Sequence, residues 1–284
     1  MSQTPSTIRN ISDTAVWVAA YRARETERPD AIFRDHLARR LAGERGEQIA
    51  ATMPFSNRHA WGFASRTYLF DQFIEEQVAQ GADMIVNLAA GLDARPYRMS
   101  LPAALQWVEV DLPEILAYKT EILADEKPVC ALKHVPLDLA DADARNAAFG
   151  RLGQQAKRAL VVSEGLLIYL APEDVDALAE DLARISAFQR WVFDIQSPGL
   201  LRMTQKNLGA QLARGGAAVK FGPKEGPLFF ERHGWTPQDV RSMLKTAARL
   251  KRLPFGMRLL AWLPESNGEQ GGRPWSGVCL MARK

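Results

Sequence analysis

The sequence predicts an α/β fold built around a doubly wound, mostly parallel sheet, and three observations carry that expectation. The apolar run Met84–Leu88 passes through two alanines into Gly91 and then turns polar and arginine-rich, in the stretch MIVNLAAGLDARPYRM. A buried strand that enters a helix through a small-residue turn has this form. Twenty residues after Gly91, the run WVEVD ends in Asp111, where such a sheet carries an acid at the tip of its second strand. Downstream, short apolar runs keep alternating with stretches of helical period, the pattern of successive βα units.

Taken in order, residues 1–11 are polar and read as a frayed arm. A helix is expected over Thr14–Arg28, capped by Ser12 or Asp13 and broken by Pro29. A second, short helix is expected over Asp30–Leu41, ended by Gly43, with Glu44–Met53 helical or irregular. A further helix runs from about Trp61 to Gln80, turns Phe63, Tyr68, Phe70, Phe73 and Ile74 inward, and closes at Gly81. The first 80 residues therefore read as a helical N-terminal lid (1–80) ahead of a ligand-binding unit (81–284).

In that unit, strands are expected at Met84–Leu88, Gln106–Val110, Ala131–Val135, Ala159–Ser163 and Trp191–Phe193, the last ending in Asp194. Helices or turns intervene at Arg95–Leu105, from Pro113 to Leu123, at Arg145–Gln155, and from Pro172 to Ile185. Ser197–Phe230 holds six glycines and three prolines, too long for a simple loop. With its flank to about residue 234 it reads as a lid insertion, helical over Leu200–Ala213. A helix is expected over Thr236–Ala248 with Thr236 as cap and Pro237 in its first turn. A sixth strand is expected at Arg249–Leu253, an exposed turn at Gly268–Pro274, and a seventh strand at Val278–Ala282 that pairs antiparallel with the sixth.

Composition narrows the function classes. The chain has 284 residues, a formal net charge of +3 and 24% charged residues. No block of five like charges occurs, which speaks against a nucleic-acid partner. Cys130 and Cys279 lack the spacing of a zinc or redox motif, so no metal is expected. No apolar run reaches about 18 residues and no basic-then-apolar leader stands at the start. A cytoplasmic protein with no membrane partner is the expectation, monomeric in preference to a homodimer.

The ligand follows from what the glycine turn lacks. A dinucleotide passes its pyrophosphate close to the backbone at a helix N-terminus, which takes several glycines. This turn has one, and Asp93 stands where phosphates would lie. An adenosyl group with a neutral or cationic tail fits, and S-adenosyl-L-methionine is such a ligand. Ligands of open α/β sheets lie beyond the carboxyl ends of the strands. Asp93, Asp111, Asp138 and Glu164 all sit at such ends. Asp111 can accept both ribose hydroxyls, Asp138 the adenine amino group with the Leu139 backbone beside it, and Glu164 the ammonium of an amino-acid tail. The tail carboxylate needs a cation, for which Arg66 and Arg22 are the candidates. Methyl transfer is an in-line displacement that depends chiefly on positioning. A carboxylate acceptor needs no base and a hydroxyl needs one. Tyr169, Tyr97 and His233 are the candidate catalytic residues, with His134 a further one to watch. Arg95 and Arg98 could hold an anionic acceptor or simply pair with Asp93 and Asp111.

Together the segments ASRTYLFDQF, VNLAAGLDARPYR, VEVDLPEILAYK, PLDL and VSEGLLIYLAPEDV resemble the bacterial members of the leucine carboxyl methyltransferase family, including its polyketide O-methyltransferase branch. The resemblance is strong over about residues 12–195 and looser to the end through HGWTPQDVRSML and GVCLMAR. It implies a class I methyltransferase, Rossmann-like sheet of strand order 3-2-1-4-5-7-6 with strand 7 antiparallel. It also implies S-adenosyl-L-methionine as cofactor and S-adenosyl-L-homocysteine as product. Carried onto this chain, the family's cofactor residues are Arg66, with Arg22 as helper, Gly91, Asp111, Asp138, Leu139 and Glu164. The chain departs at Ala89-Ala90-Gly91, where relatives often have another glycine. The expected activity is methyl transfer to a carboxylate or hydroxyl of a small molecule, such as a secondary metabolite. Transfer to carbon or nitrogen, or a non-catalytic scaffold, is the alternative.

Overall fold

The structure, a computed structural model, describes residue 8 and residues 12–53, 56–262 and 272–284. The expected frayed arm falls outside the described residues apart from Ile8, which is buried. The expected turn at Gly268–Pro274 is described only from residue 272 on.

All five residues of β1 (Met84–Leu88) are buried, so the strand lies at the centre of the sheet. Its neighbours are β2 (Gln106–Asp111) and β4 (Ala159–Ser163), both parallel, with Val86 opposite Val108 on one side and Val161 on the other. β3 (Ala131–Pro136) extends the sheet beyond β2, and β5 (Phe188–Gln196) beyond β4. β7 (Ser276–Arg283) runs antiparallel to β5, and β6 (Trp235–Ser242) pairs antiparallel with β7. The seven-stranded order is therefore 3-2-1-4-5-7-6, as expected.

Period-two alternation splits the core between the two faces. Met84, Val86 and Leu88 pack with Phe149 of α6 (Ala142–Gln155) and Leu178 of α7 (Pro172–Ala183). Ile85 faces the other way, onto Phe70 and Phe73 of α3 (Ser56–Ala79) and onto Trp107. A third apolar cluster joins α1 (Ser12–Thr26) and α2 (Ala38–Thr52) to Leu92, Ile115 and Leu212. The N-terminal helices thus sit over the carboxyl end of the sheet.

Three expectations need correction. Residues 30–37 are not a helix. Asp35 is 1% exposed, its carboxylate accepts from Arg22 Nε at 2.8 Å and from the Leu37 N–H, and these buried polar contacts hold an irregular turn. The helical segment begins only at Ala38, and Gly43, at φ 55°, ψ −170°, breaks it into two helices, so the expected stop at Gly43 and the helical stretch after it both stand.

Second, Thr236 and Pro237 open no helix. They lie in β6, whose ladder with β7 is interrupted between Pro237 and Asp239, as expected where proline lacks an N–H. Ser242 caps the following α9 (Met243–Arg249), its side chain accepting from Lys245 N. Third, no strand forms at Arg249–Leu253. The segment carries the end of α9, and Lys251 takes a left-handed φ of 57°. The sixth strand is Trp235–Ser242 instead. The remaining differences are of length: β5 has nine residues, α4 (Arg95–Arg98) is a single turn, and α8 (Pro198–Arg214) is slightly longer than expected.

Candidate active site

A cavity of about 420 Å³ opens at the carboxyl ends of β1, β2 and β4. Residues of α1, α3 and α8 close over it: Thr14 and Trp17, Phe63 and Arg66, Thr204 and Leu208. Its floor is the turn after β1. There Ala89 and Gly91 both take left-handed φ values, 51° and 52°. Gly91 does so freely, whereas alanine in this region is strained by roughly 1 kcal/mol or more. Non-glycine strain of this kind gathers at functional sites.

The turn presents the Gly91 N–H to Asp111 Oδ2 at 2.6 Å, while the Leu112 N–H reaches Asp111 Oδ1 at 2.7 Å. Both carboxylate oxygens are thus fixed in direction, and each retains lone-pair capacity toward the cavity. Burial raises the Asp111 carboxyl above its ordinary value despite these two donors.

Asp93 lines the same cavity and is ionised. Burial pushes its carboxyl up, but Arg95, Lys119, the Arg95 N–H and Arg98 together bring it down to about 2. Asn87 Nδ2 also donates to it, at 2.8 Å. A fixed negative charge therefore stands beside the glycine turn, as the sequence suggested.

The opposite end holds a cluster of charge. Arg66 Nε lies 3.1 Å from Glu164 Oε1, and its Nη1 lies 3.4 Å from Asp194 Oδ2. Burial alone would lower the Arg66 guanidinium, but Asp194 and Glu164 raise it, so it stays charged. Glu164 also meets Arg95 Nη1 at 2.8 Å. Gly165, at φ 66°, gives its N–H to Asp194 Oδ1 at 2.6 Å, and a Cβ there would stand 3.1 Å from Arg66 Nη1. Glycine is thus favoured by the left-handed turn, and a Cβ would crowd the tip of the arginine.

The cavity brings together eight of the residues singled out in the sequence: Arg22, Arg66, Gly91, Asp93, Arg95, Asp111, Glu164 and Tyr169. Arg22 faces it with its guanidinium already engaged, Nε to Asp35 and Nη2 to the Leu92 carbonyl at 2.5 Å. It ties α1 to the turn after β1. Tyr169 lies on a 3₁₀ turn, Leu167–Tyr169. Burial raises its phenol, against Arg66 and a hydrogen bond to Thr14, so it stands protonated.

Other candidates do not reach the cavity wall. Asp138 is exposed and accepts from Ala140 N, while the Leu139 carbonyl accepts from Arg145. Tyr97 packs with the helical cluster on α4, its phenol pushed by burial to about 12. His233 contacts Asp176 and Glu180 on α7. His134 lies on β3 beside Glu109. Tyr97, His233 and His134 do not line this cavity. Arg95 and Arg98 are consumed by carboxylates, Arg95 by Asp71, Asp93 and Glu164, and Arg98 by Asp71 rather than Asp111. Neither is left to hold an anionic acceptor. Asp194 joins this cluster from outside the set of sequence candidates. It lies near the carboxyl end of β5, where the strand-end argument applied to four other acids covers it equally.

Three comparisons bear on this site. The family model of leucine carboxyl methyltransferase matches residues 15–183. A Rhodococcus jostii protein provisionally named an S-adenosyl-L-methionine-dependent methyltransferase is 35% identical over 187 residues, 63% of this chain and 64% of its own. The chain spans about three-fifths of the length of the first curated relatives it matches. Among solved structures, a DUF574 family protein from Streptomyces avermitilis shares the fold at a TM-score of 0.61 and 11% identity, covering 98% of this chain and 99% of its own. A protein from Thermobifida fusca, provisionally named a methyltransferase, does so at 0.59 and 17%, covering 99% and 97%. The matched region runs from α1 through α7 and contains every charged residue lining the cavity, Arg22, Arg66, Asp93, Arg95, Asp111 and Glu164. The chain belongs to the leucine carboxyl methyltransferase family.

Proposed function

We propose that this chain is an S-adenosyl-L-methionine-dependent methyltransferase that delivers the methyl group to an oxygen of a small molecule, a carboxylate or a hydroxyl. The observation that carries the reading is the polarity of one cavity: a fixed diol-accepting carboxylate, Asp111, at one end and the Arg66–Glu164 pair at the other. That donor set matches a ribose and a zwitterionic amino-acid tail, and the ionised Asp93 between them disfavours a pyrophosphate.

In this reading Asp111 accepts the ribose hydroxyls and the Gly91 turn lies under the nucleoside. Arg66 holds the tail carboxylate and Glu164 the tail ammonium. Leu112 and Ile115 line the wall next to Asp111 and suit an adenine face. Asp138 and Leu139 would have to approach the base from outside the present wall. Arg22 acts by holding α1 against the turn. The cofactor supplies a methyl group already activated on a sulfonium, so the protein's work is to align an acceptor and exclude water. Segments 1–80 and about 197–234, which furnish α1, α3 and α8, form the lid over the reacting groups.

Isothermal titration with S-adenosyl-L-methionine and S-adenosyl-L-homocysteine, with NADH as control, tests the reading. Micromolar binding of the first two and none of NADH is expected. Binding of NADH in preference to both would sink it.

A further inference from the structure

A second cavity of about 270 Å³ lies beside the first. The two share a wall of Trp17, Phe63, Arg66, Ile168, Thr204 and Leu208. The far wall is mainly apolar and rich in rings and thioethers, with Trp61, Phe221, Met203, Met243 and Met257, and Asp194, Gln196, Asn207 and Ser276 are its polar members. Such a lining favours a flat apolar guest, since aromatic faces stack and methionine adapts to shape. Its volume is at the small end for a ligand pocket.

The charges on this wall are informative. Among the described residues, Arg66 is the only cation lining it, and Asp194 the only anion. Arg66 already faces Glu164 and Asp194. Asp194 Oδ1 is held by the Gly165 N–H, while Oδ2 has the longer 3.4 Å approach to Arg66. Burial raises the Asp194 carboxyl above its ordinary value, against the pull of Arg66, which brings it closer to the range of a working base. A carboxylate guest would meet a like charge with no free cation to offset it. A hydroxyl guest would find an acceptor.

We propose that the second cavity holds the methyl acceptor, that this acceptor is an uncharged aromatic hydroxyl compound rather than a carboxylate, and that Asp194 takes its proton. The proposal rests on the cofactor reading above, in which the carboxylate of the cofactor occupies Arg66. The acceptor O–H bond breaks as its proton passes to Asp194 Oδ2. The electron pair left on oxygen forms the new O–CH₃ bond, and the methyl departs from its sulfur, which keeps the old bonding pair. The products are a methyl ether and S-adenosyl-L-homocysteine, and Asp194 returns the proton to solvent. No metal or oxidant enters the balance.

The test uses the full chain loaded with S-adenosyl-L-homocysteine and two probes of one shape, 2-naphthol and 2-naphthoate, titrated at neutral pH. In the wild type, 2-naphthol is expected to bind at least about tenfold more tightly than 2-naphthoate. Asp194→Asn keeps an acceptor for the Gly165 N–H but removes the charge, and is expected to bring the two within about threefold. The emission of bound 2-naphthol gives a second readout: a naphtholate band in the wild type, where a base faces the hydroxyl, and a neutral band in Asp194→Asn. A merely structural role for Asp194 would leave the naphthoate affinity and the emission band where they were. Should Asp194→Asn fail to fold, Met203→Trp fills the same cavity from the half-exposed side of α8 and is expected to exclude 2-naphthol while retaining S-adenosyl-L-homocysteine.

Three results overturn the proposal alone, with S-adenosyl-L-homocysteine still binding: equal or tighter binding of 2-naphthoate by the wild type, no binding of either probe, or an emission band that ignores the substitution. Failure of S-adenosyl-L-homocysteine itself to bind overturns the cofactor reading and this proposal with it.

Discussion

Replacing Asp111 with alanine probes the nucleoside end of the cavity. Both carboxylate oxygens are oriented by backbone N–H groups at 2.6 and 2.7 Å, so a ribose would meet a preformed acceptor pair. A hydrogen bond to a charged group contributes about 1.5–3 kcal/mol. Loss of two such bonds therefore weakens S-adenosyl-L-homocysteine by about 3–6 kcal/mol, or about 10²- to 10⁴-fold in Kd. Asp111→Asn is expected to fall between, because its one oxygen satisfies one backbone donor while its amide nitrogen faces the other. Isothermal titration gives the affinity, and a thermal melt of each variant shows that the fold persists. Because burial holds the Asp111 carboxyl above its ordinary value, wild-type affinity should also decline on acidification before an exposed carboxylate would cause it to. A folded Asp111→Ala variant that binds within about fivefold of wild type would show that Asp111 touches no ligand hydroxyl.

Three further predictions concern stability. The Asp93 carboxyl is depressed from 3.8 to about 2, so its contribution is complete above about pH 4 and lost as pH falls toward 2, about 2 kcal/mol in all; Asp93→Asn should flatten acid unfolding in that window, and an unchanged slope would refute the assignment. A Cβ on Gly46 would stand 2.4 Å from the Val16 carbonyl oxygen where α1 crosses α2, so Gly46→Ala should cost about 1–3 kcal/mol and lower Tm by roughly 2–10 °C in a melt. Lys119 Nζ sits 2.7 and 2.8 Å from the two Glu109 oxygens, both side chains fully buried; Lys119→Met should cost about 3–5 kcal/mol in urea unfolding, and adding Glu109→Leu should recover more than half of it, because the loss is that of an uncompensated buried charge.

The central sheet was legible because its residues obey local rules. β1 and β4 were placed to the residue, since a short, mostly apolar run that ends in a small-residue or polar turn has few other readings. The turn chemistry around Gly91 and the acids at strand ends followed from the same local patterns. What escaped was decided by distant partners. β6 carries a Thr-Pro pair that mimics a helix start, and only its ladder with β7 makes it a strand. Residues 30–37 look helical in isolation, but Asp35 is drawn into a buried pair with Arg22. His233 and Tyr97 have side chains capable of proton transfer but do not line the cavity, which no spacing rule reveals. Asp194 was within reach of the strand-end argument, but the second cavity that it lines, assembled from α1, α3, α8 and the segment around Met257, shows only in the fold.

The position of β7 has a consequence for biosynthesis. It is the last strand in the sequence, yet it lies between β5 and β6, and β6 has no other partner in the sheet. Chains emerge from the ribosome N-terminal end first, at about 5–20 residues per second. During that time the parallel half, β3 through β5, can pair and pack, while β6 waits as an unsatisfied ribbon and the far edge of β5 stays open. Such edges are templates for association between nascent chains. The interval between the appearance of residue 242 and that of residue 276 is therefore the vulnerable period in making this protein. Slowing translation across it, or truncating the chain before β7, should trap a half-built sheet that holdase chaperones bind and that loses solubility without them.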